Sequence, residues 1–245
     1  LSIKSSGYIY VDNLIYYSSN SSSTTNNVSK LRIPKDIKLE DATNTPMSGT
    51  NSFKIALLDT ITEPNLMIEH LKNSVLINSI NSSADLTILT NETNNDFLEK
   101  ISTEKISATE YDLFEYKDAT IITLDISNKG IRTTEPTQWI SFQNDIEDSE
   151  KENIFIVLNS PLDNFEDFEE RKAFIDTLCE FNRKIKKNII VLHSGYYTDY
   201  SMERGIKYLG INTKNIPSEK IAKDSSYILI SVLGDTVSYE IKKIF

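Results

Sequence analysis

The chain has 245 residues, 39% of them apolar and 25% charged, which suits one large domain, or one domain with a small attachment, and excludes disorder over most of its length. Its 26 basic and 36 acidic residues leave a net charge of −10, which repels polyanions and argues against nucleic acid or an anionic membrane as a partner. The single cysteine, Cys179, excludes a disulfide framework and a cysteine-based zinc site, and no run of 18 apolar residues offers a membrane span.

The chain opens on Leu1 without the charged-then-apolar start of a signal peptide. Opening on leucine rather than methionine, it is expected to be a piece of a longer protein, with any export signal or anchor outside it. Residues 7–17, GYIYVDNLIYY, are β-branched or aromatic at nearly every position and read as one or two strands. The polar run SSNSSSTTNN, residues 18–27, has nothing to bury and reads as a linker without regular structure. The phrase YVDN, Tyr10 to Asn13, resembles the last strand of bacterial jelly-roll carbohydrate-binding modules. Residues 1–17 are accordingly read as the strand remnant of a preceding β module, residues 18–50 as linker and lead-in, and residues 51–245 as the main domain.

From residue 51 the pattern becomes regular. Runs at 53–59, 84–90, 119–125, 153–159 and 188–193 are too continuously apolar for one-sided sheets and predict strands buried on both faces. Helical stretches lie between several of them. Pro64 opens one with Met67, Leu71 and Val75 as its apolar face, and Pro136 opens another carrying Trp139, Phe142 and Ile146. A third spans about 164–186, with Phe165, Phe168, Phe174, Leu178, Phe181 and Ile185 at helical spacing and Cys179 as a small buried hydrophobe. VLHSGYYTDYSMERGIKYLGI, residues 191–211, reads as a buried strand, a polar loop and a second short strand. SSYILISVLGDTVSYEIKKI, residues 225–244, alternates around Gly234-Asp235 and predicts a closing hairpin. Strands and helices in this order predict an α/β fold.

Each of the five buried runs ends in polar residues: Asp59, Thr90-Asn91-Glu92, Asp125, Asn159 and His193. That edge is where open α/β sheets bind ligands, although every strand must end in something polar. The five together fit either reading.

Several phrases carry a resemblance. FKIALLDTI holds Asp59 and Ile61, ADLTILTNETN holds Asn91 and Glu92, and ATIITLDISNKG followed by QWISFQNDI holds Asp125, Gln138 and Trp139. IVLNSP follows with Asn159, Ser160 and Pro161, and then Gly195, Tyr196, Tyr197 and Thr198. In this order residues 51–245 resemble the calcineurin-like metallophosphoesterase family. The resemblance implies a four-layer α/β/β/α sandwich with two mixed sheets. It also implies a lost active site. The family's first strand ends Asp-x-His, where this chain has Ile61, and its Gly-His-x-His is replaced by Gly195, Tyr196, Tyr197 and Thr198. The histidine that precedes proline is Asn159, and the Gly-Asn-His-Asp loop finds no match in residues 93–118. The Asp125, Gln138 and Trp139 matches are structural.

Chemistry points the same way. Two-metal hydrolysis needs two divalent ions about 4 Å apart, each with several carboxylate or imidazole ligands, and this chain has two histidines in all. His70 lies in the first helix and is expected to pack against or cap a helix face. His193, at a strand end, is expected to make a structural hydrogen bond but is the better functional candidate. Asp59, Glu92 and Asn159 offer oxygen ligands for at most one magnesium or calcium ion, so no cofactor beyond that is expected. No nucleophile elbow, phosphate-binding loop or dinucleotide fingerprint occurs among the 7 glycines.

Two functional expectations follow. In the first, the domain is a pseudoenzyme, a binding or structural module of a secreted or cell-surface protein of Gram-positive bacteria. Its partners would be other domains of the same chain and a cell-wall glycan or phosphate-containing polymer. The phrases LRIPKDIKLED and GIKYLGI resemble tails that follow phosphodiester glycosidase domains. In the second, it is a divergent phosphoester or phosphodiester hydrolase using one ion or none, with Asp59, Glu92, Asn159, His193 and Tyr196 gathered around the substrate at one sheet edge.

Overall fold

The computed structural model describes residues 8–11, 14–17, 31–32, 52–61, 67–195, 198–212 and 226–243. The elements run β1 (Tyr8–Val11), β2 (Leu14–Tyr17), β3 (Leu31–Arg32), β4 (Phe53–Leu58), α1 (Met67–Ser83), β5 (Leu86–Leu89), α2 (Asn95–Leu98), β6 (Glu104–Ser107), β7 (Asp112–Tyr116) and β8 (Ala119–Leu124). They continue with α3 (Ile131–Thr134), α4 (Thr137–Asp148), β9 (Asn153–Leu158), α5 (Phe168–Ile185), β10 (Asn188–Ser194), β11 (Asp199–Glu203), β12 (Ile206–Ile211), β13 (Ser226–Leu233) and β14 (Thr236–Lys243). The polar run at 18–27 lies outside the described residues, as does Pro64.

The strands that read as buried on both faces build two mixed sheets. One has seven strands in the order β3-β11-β12-β10-β9-β8-β7, the other five in the order β14-β13-β4-β5-β6, and β1 pairs with β2 alone. Strands β8, β9, β10 and β12 run parallel, as do β4, β5 and β6, while β3, β7, β11, β13 and β14 join antiparallel.

Alternation along each strand sends successive side chains to opposite faces, and both faces are covered. On β9, Phe155 and Val157 meet Ile55, Leu57 and Ile88 of the other sheet in a central apolar layer. Ile154, Ile156 and Leu158 face Phe142, Phe174 and Leu178 of α4 and α5. On the five-stranded sheet, Ala56, Leu58 and Leu229 pack against Ile77 and Ile80 of α1 and Phe97 of α2. Three apolar layers between four structural ones make the α/β/β/α sandwich, with two mixed sheets inside and helices outside. The closing hairpin is also present, with Gly234 at φ +57 in its turn, a left-handed conformation that costs glycine little.

Helix α1 corrects the sequence reading. Met67, Leu71 and Val75 are 81%, 56% and 43% exposed. Leu76, Ile77 and Ile80 are buried instead. Both stripes have helical spacing, but the second continues to Ala84 and meets the sheet beneath Tyr227 and Leu229. Cys179 is buried in α5, and Trp139, Phe142 and Ile146 all join the core beneath α4.

Candidate functional site

The carboxyl ends of β4 and β5 from one sheet meet those of β8 and β9 from the other. The residues just past these strand ends close the gap. Asp59, fully buried, accepts at Oδ1 from Thr90 Oγ1 at 3.0 Å and from Asn91 Nδ2 at 2.5 Å. Asn91 Nδ2 also reaches the Asn159 carbonyl at 3.3 Å, which carries the network from the five-stranded sheet to the seven-stranded one. Asn159 donates Nδ2 to Asp125 Oδ1 at 2.5 Å and accepts the Ile126 N–H at Oδ1, 2.9 Å away.

Side-chain parity explains the convergence. Asp59 continues the face of Ile55 and Leu57, and Asn159 that of Phe155 and Val157, so both point between the sheets. Buried Gln138 at the start of α4 fixes the far end: its Oε1 accepts the Asp125 N–H at 2.9 Å, and its Nε2 donates to the Asp125 carbonyl at 3.1 Å. Its neighbour Trp139 donates Nε1 to the buried Glu170 carboxylate at 2.9 Å, which also accepts the Arg132 N–H at 2.8 Å. The Gln-Trp pair thereby clamps the segment after β8.

Of the residues singled out from sequence, Asp59 and Asn159 are joined through Asn91. Glu92 turns an exposed side chain toward an open cavity of about 620 Å³ lined with Thr93, Asn94, Asp96 and Ser107. Its carbonyl accepts from Thr60 Oγ1 at 2.5 Å. His193 pairs in register with Leu158 and shares the helix-facing parity of Val191, so the β10 side chain on the inter-sheet face is Ser194. The His193 ring nitrogen Nδ1 lies 2.7 Å from the Ser194 carbonyl. Tyr196 lies outside the described residues. Ile61 packs into the apolar layer under α1, while His70, expected to pack or cap, is exposed on that helix.

Asn91, Thr90 and Asp125 are the members of the network missing from the candidate set. Their signal was their place at strand ends. Asn91 and Glu92 together stand where the resembled family has Gly-Asp, and it is the first of the two that enters the gap.

The donor set decides what this site can hold. A two-ion centre needs several carboxylate or imidazole ligands around each ion. Among the described residues no group of three or more histidines, cysteines, aspartates and glutamates is placed to bind a metal ion. The Asp59 and Asp125 carboxylates are bridged by neutral side-chain amides, and the Asn159 side-chain oxygen accepts a backbone N–H. These residues do not fit a dimetal centre. What they make is a hydrogen-bonded clasp between two sheets.

No protein-family model matches the chain. No curated protein matches it either. Solved structures do. A dimetal phosphatase from Danio rerio aligns with a TM-score of 0.53 at 6% identity, covering 79% of this chain and 96% of that one. GAP50, the anchor in the inner membrane complex of Plasmodium, aligns with a TM-score of 0.52 at 7% identity, covering 79% of this chain and 85% of that one. At such identities the likeness is one of fold: this is a metallophosphoesterase-like sandwich.

Proposed function

We propose that this domain is a pseudoenzyme of metallophosphoesterase fold, serving as a binding or structural module of a secreted or cell-surface bacterial protein. The observation that carries the reading is the Asp59–Asn91–Asn159–Asp125 network, in which amides stand between the carboxylates at the junction of the sheets. A solvated catalytic crevice would leave ligand atoms turned toward substrate. Here the carboxylates are tied to one another through Asn91 and Asn159.

The fold is compatible with such a role, since a structural neighbour is described as an anchor of a membrane complex. The proposed partners are other domains of the same longer chain and a cell-wall glycan or phosphate-containing polymer. The excess of 36 acidic over 26 basic side chains argues against nucleic acid. The phrases LRIPKDIKLED and GIKYLGI support a place beside phosphodiester glycosidase domains in Gram-positive surface proteins. No cofactor is needed; at most one magnesium or calcium ion would bind, held largely through water.

The test combines metal content by mass spectrometry with hydrolysis of bis-p-nitrophenyl phosphate in added manganese. The expected result is no pair of tightly bound ions and no turnover. Two bound ions per chain, or turnover abolished by Asp59→Ala, would replace this reading with that of a divergent phosphoester hydrolase.

A further inference from the structure

Asn91 has a role that its backbone position does not require. Its Nδ2 lies 2.5 Å from Asp59 Oδ1, 3.3 Å from the Asn159 carbonyl and 3.5 Å from Thr90 Oγ1. A carboxylate and a backbone carbonyl can only accept hydrogen bonds, so the nitrogen end of the amide must face them. A centre of positive partial charge, surrounded by oxygens from both sheets, is the environment a small hard cation would seek. The amide supplies two donors there without bringing a net charge.

We infer that Asn91 is a built-in substitute for a cation: its amide nitrogen occupies the seat between Asp59 and Asn159, and this one side chain keeps a divalent ion out of the sheet junction. The inference rests on the functional reading above and adds the residue responsible. Replacing the amide by a carboxylate removes both donors and sets a second negative charge against Asp59. The junction would then need a cation to hold it together.

The experiment compares thermal unfolding of the whole 245-residue chain, as wild type and as Asn91→Asp, in EDTA and in added Mg²⁺, Ca²⁺ or Mn²⁺. Wild type is expected to melt at the same temperature in every buffer. Asn91→Asp should melt lower in EDTA and recover by roughly 5–10 °C when the ion is present at about 100 times its Kd. An Asn91→Asp protein indifferent to all three ions, or unfolded with and without them, would overturn the inference and leave the pseudoenzyme reading intact. Wild type stabilised by a single ion would also overturn it. Two bound ions with turnover would instead defeat the functional reading on which it rests.

Discussion

At the amino ends of β9 and β10, Asn153 and Asn188 reach across to the β13–β14 turn of the other sheet. At the carboxyl ends, Asp59, Asn91, Asn159 and Asp125 span the same gap. The first contact is wholly neutral. Buried Asn153 donates to the Gly234 carbonyl at 2.7 Å and accepts from Asn188 Nδ2 at 3.1 Å, while Asn188 also donates to the Asp235 carbonyl. The second contains two carboxylates. Amides and carbonyls alone make the first contact, whereas the second sets its amides between two carboxylates.

The largest test of this contrast is Asn153→Ala, which removes a fully buried side chain together with its bonds to the Gly234 carbonyl and the Asn188 amide and should cost about 3 kcal/mol by urea unfolding. That loss should be the same in EDTA and in calcium; a cation-dependent loss would erase the distinction. At the opposite end, Asn159→Ala removes a bond to a carboxylate and should cost about 2 kcal/mol. An unchanged urea midpoint would mean that the Asp125 contact carries no stability. Gln138→Ala frees the Asp125 backbone from two hydrogen bonds and should cost about 1–2 kcal/mol. Faster amide exchange at Asp125 and Ile126 would locate the effect. The smallest change is expected from Glu92→Gln, within about 0.5 kcal/mol, because that side chain is exposed. A larger effect would bring Glu92 into the carboxylate clasp after all.

The sequence made the interior strands legible for a physical reason: β4, β5, β8, β9 and β10 are covered on both faces, so they read as continuous apolar runs. The hairpin at Gly234-Asp235 was equally plain. The outer strands of the seven-stranded sheet were not. Asp112–Tyr116 at one edge of the seven-stranded sheet is mostly exposed, and Asp199–Glu203 beside Leu31–Arg32 sits where a polar loop was expected. At the site, Asp59 and Asn159 were readable as strand-end residues. Which neighbour would join them was not, since a shift of one position changes the face: His193 and Ser194 lie on opposite sides of β10, and Asn91 enters the gap where Glu92 does not. Helix α1 failed similarly, because two apolar stripes compete there and only the sheet beneath selects Leu76, Ile77 and Ile80.

The order of the five-stranded sheet also constrains how the protein comes into being. Strand β4 lies between β5 and β13, with Phe53 opposite Val232. As the chain leaves the ribosome, β5 can pair with β4 early, whereas β4's other edge must wait for β13, near the end of the described residues. Such distant pairing closes a long loop before it gains contacts, which favours slow folding. Until then the buried backbone edge of β4 stays available to other chains. The interval between synthesis of β4 and arrival of β13 is therefore the period in which this domain depends most on being shielded from aggregation.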